Sequence, residues 1–270
     1  MGCMRISAGV DQTVEMLTYL KGQLGNCRSE ITPSSKRNRW LVWWDEADRH
    51  LRSLFPDGEV ATELYVSSER VQNLNMVGYP NAVLNREIDT WIERFEKLVQ
   101  ELKALKPFIE RPGQIVVPDT SAFLEGAYFT ELDWQSVAGA GAGDLVRLVV
   151  PVLVIEELDD HKRGRDRVQS RAKSVLRQLW ELNGGSASNA AALPGPRPVT
   201  IEVLTNDSWH IRRPVNDNEI IERALAVGEI TKRDVILAAA DYSMLYQASA
   251  GGLQTAVVSR SETAVNEAAQ

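Results

Sequence analysis

Four acidic residues, Asp119, Glu157, Asp217 and Asp241, fall at or just after the ends of successive apolar, strand-like runs. Side chains at the carboxyl edge of a parallel α/β sheet converge in space even when they are remote in sequence. Convergent carboxylates repel one another. At ~5 Å and an effective dielectric of ~20 each like-charged pair costs roughly 3 kcal/mol, so such a cluster holds protons or binds a divalent cation. Each acid also has a plainer role open to it. Asp119, Asp217 and Asp241 can cap helices, and Glu157 can be a surface glutamate. Glu156 and Glu157 differ by ~100° around a helix, so only one of them aims easily at Asp119. Asp234 competes with Asp241, but it lies at the far end of the same strand, ~20 Å away for about six residues at ~3.3 Å each.

The elements that must position these acids follow from hydrophobic periodicity. Gln114–Val117, Asp144–Val150, Val199–Leu204, Val235–Ala239 and Thr255–Ser259 are short β-branched or apolar runs bounded by Gly, Pro or polar residues, the pattern of strands. Helical segments intervene. Pro151–Asp160 can open on Pro151, whose missing N–H is harmless in a first turn. Val168, Ala172, Val175 and Leu179 form one helical stripe, and further helices are expected over Asn218–Val227 and Tyr242–Ala250. Gly184–Pro198 reads as a long loop. Strands alternating with helices predict an α/β fold, a parallel sheet joined by right-handed crossovers.

Before residue 112 the period is helical throughout. Trp40, Trp44, Ala47, Leu51 and Leu54 recur at helical steps, and Pro56-Asp57-Gly58 ends that run. Leu84, Ile88, Ile92, Phe95, Val99 and Leu102 mark a second long helix over Asn81–Leu105, closed by Lys106-Pro107. These two helices are expected to pack on each other. Val10–Leu24 and Val60–Val71 supply a third and a fourth. Trp40 and Trp44 share the face of Leu51 and read as core, which leaves Trp43 on another face as the one ring placed to stack on a nucleobase.

Composition narrows the function. With 270 residues, 44% hydrophobic and 25% charged, the chain is in the globular range, long enough for one large domain or two smaller ones. No apolar stretch approaches the ~20 residues of a spanning helix, and Met1–Ser7 lacks a signal core, so a cytoplasmic protein without membrane partners is expected. Cys3 and Cys27 have no metal-ligand spacing and read as free thiols. Met1-Gly2-Cys3 has Ile6 where a myristoylation signal needs Ser or Thr. The three histidines, His50, His161 and His210, fit neither a nucleophile nor a zinc pattern. Net charge is −7; residues 1–112 contribute −1 (15 basic, 16 acidic) and residues 113–270 contribute −6 (15 basic, 21 acidic). Seven of those later basic residues, Lys162, Arg163, Arg165, Arg167, Arg171, Lys173 and Arg177, crowd into one window opposed only by Asp166. They can guide a phosphate backbone toward the acids, or form a solvated helix face.

Taken in order, Val116-Val117-Pro118-Asp119-Thr120-Ser121, Val150-Pro151-Val152-Leu153-Val154-Ile155-Glu156-Glu157-Leu158-Asp159, Asn216-Asp217 and the terminal strand-Asp241-helix resemble a PIN domain. The likeness covers about residues 114–259. It implies a PIN-like, Rossmann-like three-layer domain over 113–260, preceded by a helical region of unassigned role (1–112) and followed by a tail (261–270). It further implies a metal-dependent nuclease that hydrolyses phosphodiester bonds of single-stranded RNA. Asp119, Glu157, Asp217 and Asp241 would be both the catalytic and the metal-holding acids, for one or two Mg²⁺ or Mn²⁺ ions. The choice of Glu157 over Glu156 follows the family's Glu-Leu-Asp ending. Thr120, Ser121, Lys162, Arg163, Arg165, Arg167 and Arg171 would contact substrate. The family usually has Ser or Thr two residues before the last Asp, where this chain has Ala239. A competing reading is a non-catalytic RNA-binding or scaffold protein that keeps the fold. The helical region leaves a homodimer or a protein partner open. Dinucleotide binding is excluded, since no Gly-x-Gly-x-x-Gly follows the first strand.

Overall fold

A computed structural model describes residues 6–56, 58–125, 127–141, 143–162, 167–186, 189–206, 210 and 212–258. The chain divides into two compact units, Met4–Ile109 and the chain from Glu110 onward. The tail expected over 261–270 lies outside the described residues.

The first unit is built from α1 (Val10–Arg28), α2 (Pro33–Leu54), α3 (Glu59–Gln72) and α4 (Pro80–Glu110). Thr32 starts α2: its hydroxyl accepts the Ser35 N–H at 3.1 Å, and Pro33 occupies the first turn, where no N–H is needed. Each helix buries one stripe. In α2 that stripe is Trp40, Trp43, Ala47, Leu51 and Leu54, and in α4 it includes Leu84, Ile88, Trp91, Phe95, Leu98, Leu102, Leu105 and Phe108. The rings of Trp43 and Phe95 meet edge to face at 6.1 Å, so α2 and α4 do pack on each other.

Two expectations for this unit are corrected. Trp43, read as an available stacking ring, is only 4% exposed, and its Nε1 donates to Leu20 O at 3.0 Å. Trp44 instead sits half-buried beside Tyr65. A step of three from Trp40 is as helical as a step of four, and the position of α1 decides between them. Pro107 does not close α4. The bond lost at Pro107 is offset by burial of Leu105 and Phe108 on either side of it.

The second unit is a six-stranded sheet in the order β3-β4-β2-β1-β5-β6. Its strands are β1 (Gln114–Pro118), β2 (Val146–Pro151), β3 (Ala191–Ala192), β4 (Val199–Leu204), β5 (Val235–Ala239) and β6 (Gln254–Val257). All neighbours are parallel except the short edge strand β3, which is antiparallel to β4. The helices are α5 (Thr120–Leu124), α6 (Trp134–Val137), α7 (Val152–His161), α8 (Arg167–Leu182), α9 (Asn216–Thr231) and α10 (Tyr242–Ala250). The fold is therefore a mostly parallel α/β sheet with helical crossovers. The sequence pattern does not announce α6 or β3. Trp134 anchors α6 through burial and a 2.7 Å bond from Nε1 to Phe129 O, and β3 forms inside the loop expected over 184–198.

Strands β1, β2 and β5 are buried along nearly their whole length, as expected of central parallel strands. Gly113 enters β1 with φ +118°, and a Cβ there would stand 3.0 Å from Leu145 O, so only glycine fits this approach. A buried ion pair crosses the sheet: Arg147 of β2 donates to Glu202 of β4, and Arg111 joins the same carboxylate. Both Arg147 and Glu202 are nearly fully buried. The chain runs from β1 to β2 and β4 on one side, then returns to β5 on the other side of β1. That reversal places the sheet's switch point between the carboxyl ends of β1 and β5, the crevice where open α/β sheets bind their ligands.

Candidate active site

Asp119 and Asp241 stand on the two strands that flank this switch point. Asp119 follows β1, and its N–H donates to Ala238 O of β5 at 2.9 Å. Its Oδ2 accepts from the Ser121 N–H at 3.1 Å and from Ser121 Oγ at 2.7 Å, so it caps α5. The same Ser121 Oγ accepts the Ala240 N–H at 2.8 Å, which ties the end of β1 to the end of β5. Asp241 caps α10, with Oδ1 accepting the Ser243 N–H at 2.7 Å, and is exposed. Both residues cap a helix at the carboxyl end of a strand.

Glu157 comes from α7. Its Oε2 accepts from the Thr120 hydroxyl, next to Asp119, and its Oε1 accepts from Asn216 Nδ2 at 2.7 Å. Glu156 turns elsewhere, to Arg212 Nη1 at 2.7 Å. Asp217 lies in the first turn of α9. The capping role open to it is not used, because α9 begins earlier than expected and Val215 is the residue before its first turn, with no side-chain cap.

Electrostatics join the four acids into one neighbourhood. Burial pushes the Asp119 carboxyl above its ordinary range, against the opposing bonds from Ser121 and Thr120, and the charge of Glu157 adds to the rise. Asp217 is pushed up by partial burial and by the charges of Asp241 and Glu157. Like charges linked in this way favour any cation that enters. Among the described residues no three His, Cys, Asp or Glu side chains close into a ligand set. Asp119, Glu157 and Asp241 each instead accept a hydrogen bond from a neighbouring Ser, Asn or Thr group. Carboxylate oxygens are the donors that would suit a hard divalent cation.

The groups expected to touch substrate fall out differently. The hydroxyls of Thr120 and Ser121 are engaged by Glu157 and by Asp119 with Ala240. Lys162 pairs with Asp159. Arg163 and Arg165 lie outside the described residues. Arg171 is held within the fold: Nε donates to Phe123 O at 2.6 Å, Nη2 to Ala127 O at 2.5 Å, and the guanidinium lies 5.0 Å over the Tyr128 ring. Its long side chain reaches the turn after α5 before it reaches solvent. Arg167, Lys173 and Arg177 are exposed on α8. Asn216 and Arg212 join the site without a sequence signal of their own. Asn216 adjoins an acid already singled out, but its contacts span 59 residues to Glu157 and four to Arg212, and no spacing rule signals the first.

A family model described as PIN domain matches residues 116–259, just over half of the chain. This chain belongs to the PIN-domain family, whose members are in general nucleases that use divalent metal ions. No curated protein matches it. A solved structure described as "A domain of a functionally unknown protein from Methanocaldococcus jannaschii DSM 2661" is similar at 15% identity and a TM-score of 0.35, covering 55% of this chain and 94% of that one. Among the described residues no helix is long and apolar enough to cross a membrane.

Proposed function

We propose that the protein is a Mg²⁺- or Mn²⁺-dependent endoribonuclease acting on single-stranded RNA. The supporting observation is the placement of Asp119 and Asp241 at the carboxyl ends of the adjacent strands β1 and β5 of a PIN-domain sheet, with Glu157 tied to Thr120 beside Asp119 and Asp217 pushed up by the charges of Asp241 and Glu157. Asp119, Asp217 and Asp241 would hold the cation, with Glu157 acting directly or through water. Bound there, the cation supplies Lewis acidity toward water and the phosphodiester and offsets charge on the leaving oxygen. The protein's own contribution is position. Ser121 holds the Asp119 carboxylate against the end of β5, while Thr120 and Asn216 hold Glu157 from two sides. Arg167, Lys173 and Arg177 offer exposed positive charge along α8 for the phosphate backbone. A cytoplasmic location accords with the free thiol of Cys27.

The test is incubation of the purified chain with labelled single-stranded RNA and DNA in Mg²⁺, Mn²⁺ or EDTA, beside Asp119→Asn. Metal-dependent cleavage of RNA that disappears in the variant is the expected result. Cleavage equal in both proteins would come from a contaminant and would overturn the assignment. RNA bound but never cut would favour the non-catalytic RNA-binding reading.

A further inference from the structure

Two tyrosines beside Asp241 are more exposed than their size favours. Tyr242 is 62% and Tyr246 77% exposed, and they stand four residues apart on α10, on one side of the helix. The opposite side of α10 is packed through Met244, Leu245 and Ala248. Asp241 caps this helix, so Tyr242 is its first residue and adjoins an acid of the proposed cleavage site. We propose that Tyr242 and Tyr246 form a stacking platform for unpaired bases of the single-stranded RNA substrate, an inference that rests on the nuclease reading above.

The chemistry of the helix face suits bases. The other exposed residues of α10 are Ser243, Gln247, Ser249 and Ala250; none is a branched aliphatic that a protein partner would bury, and none is charged. Planar rings with polar neighbours on their own helix suit nucleobases, whose faces are apolar and whose edges are polar. A four-residue step rises ~6 Å along a helix. Neighbouring stacked bases in one strand are ~3.4 Å apart, so bases resting on the two rings must be drawn apart from each other. A duplex cannot offer bases in that way, and a single strand can. Every base has a π-face, so the platform confers little sequence preference. It also divides labour with α8. Lys173 and Arg177 would contribute a salt-dependent share of affinity and the tyrosines a salt-insensitive one.

The test measures binding of a short fluorescein-labelled single-stranded RNA by the full chain carrying Asp119→Asn, in Mg²⁺, so that cleavage does not interfere. Tyr242→Ala and Tyr246→Ala are each expected to weaken binding at least fivefold while leaving the slope of log affinity against log salt unchanged. Phe at either position restores binding, and a 2-aminopurine base in the RNA loses its stacking quench in the Ala variants. Unchanged affinity in both Ala variants, with the parent binding RNA, overturns the platform and leaves the nuclease reading standing. Absence of RNA binding by the parent overturns both. Failure of Phe to restore binding overturns stacking as the cause. A drop in mass by light scattering in Tyr246→Ala shows an interface between copies and overturns the platform too.

Discussion

Asn216 Nδ2 donates to Glu157 Oε1 at 2.7 Å, while Asn216 Oδ1 accepts from Arg212 Nη2 at 3.1 Å. The guanidinium has no acceptor, so it fixes which way the amide faces, and the NH₂ is left for the carboxylate. Arg212 also takes Glu156, which separates the two adjacent glutamates into different environments. Asn216→Ala removes one of the two bonds that aim Glu157. Loss of an orienting partner of this kind typically costs 10–100-fold in activity or metal affinity, by about that range. The expected outcome is a fall of about 10–100-fold in kcat for RNA cleavage with little change in thermal stability, since Asn216 is only partly buried. Single-turnover kinetics with the variant check this; wild-type kcat would show that Glu157 needs no help from α9.

The central strands and the order of the acids were legible from sequence because both are local. Val199–Leu204, Val235–Ala239 and Tyr242–Ala250 were expected at those bounds and are found there, since apolar runs between turn residues have few other solutions. The bonds that orient the acids were not legible. Ser121 to Ala240 and Asn216 to Glu157 depend on which strand lies beside which, and only the sheet order supplies that. Periodicity also left the rotation of α2 undecided. From Trp40 it admits Trp43 and Trp44 equally, and the choice falls to the carbonyl of Leu20 and the ring of Phe95.

That choice has a measurable cost. Trp43 is buried, hydrogen-bonded to Leu20 and in contact with the rings of Trp40 and Phe95. Trp43→Ala leaves a cavity and removes the bond to Leu20 O, and is expected to destabilise the helical unit by about 3–5 kcal/mol. Trp43→Phe keeps an aromatic ring and loses the bond, so its cost should be smaller. Urea denaturation of both variants checks the order. A Trp43→Ala protein that is fully stable yet binds RNA more weakly would restore a recognition role to this ring.

Cys27 gives a pH dependence whose sign is fixed by burial. The thiol is buried at the end of α1, and burial pushes it from an ordinary value of 9.0 up to about 11, only partly countered by the charge of Arg39. The folded state therefore holds this proton more tightly than the unfolded chain does. Its contribution to stability is fully present below the ordinary value and is lost as pH rises through the folded value near 11. In a Cys3→Ser background, Cys27 should not react with a thiol reagent at pH near 8 until denaturant is added, because the thiolate is the nucleophile. Between pH 9 and 11 the urea midpoint should fall more steeply for this protein than for one that also carries Cys27→Ala.

Asp217 offers a test of the proposed cation site that does not depend on cleavage. It is held near Asp241 and Glu157, and its half-buried carboxylate is opposed by both charges. In EDTA, Asp217→Asn removes that repulsion at nearly constant shape, so the variant should melt at a higher temperature than the wild type. Divalent cation reverses the order. A ligand that binds only the folded state stabilises by about 2.7 kcal/mol at 100 times its dissociation constant, and the wild type should gain that increment in Mg²⁺ or Mn²⁺. Asp217→Asn has lost one donor and one charge, so its gain should be much smaller. Thermal melts of both proteins across a cation titration give the comparison without reference to cleavage. Equal gains in the two proteins would mean that Asp217 takes no part in holding the ion, and a wild type that gains nothing would deny the acids a shared cation altogether.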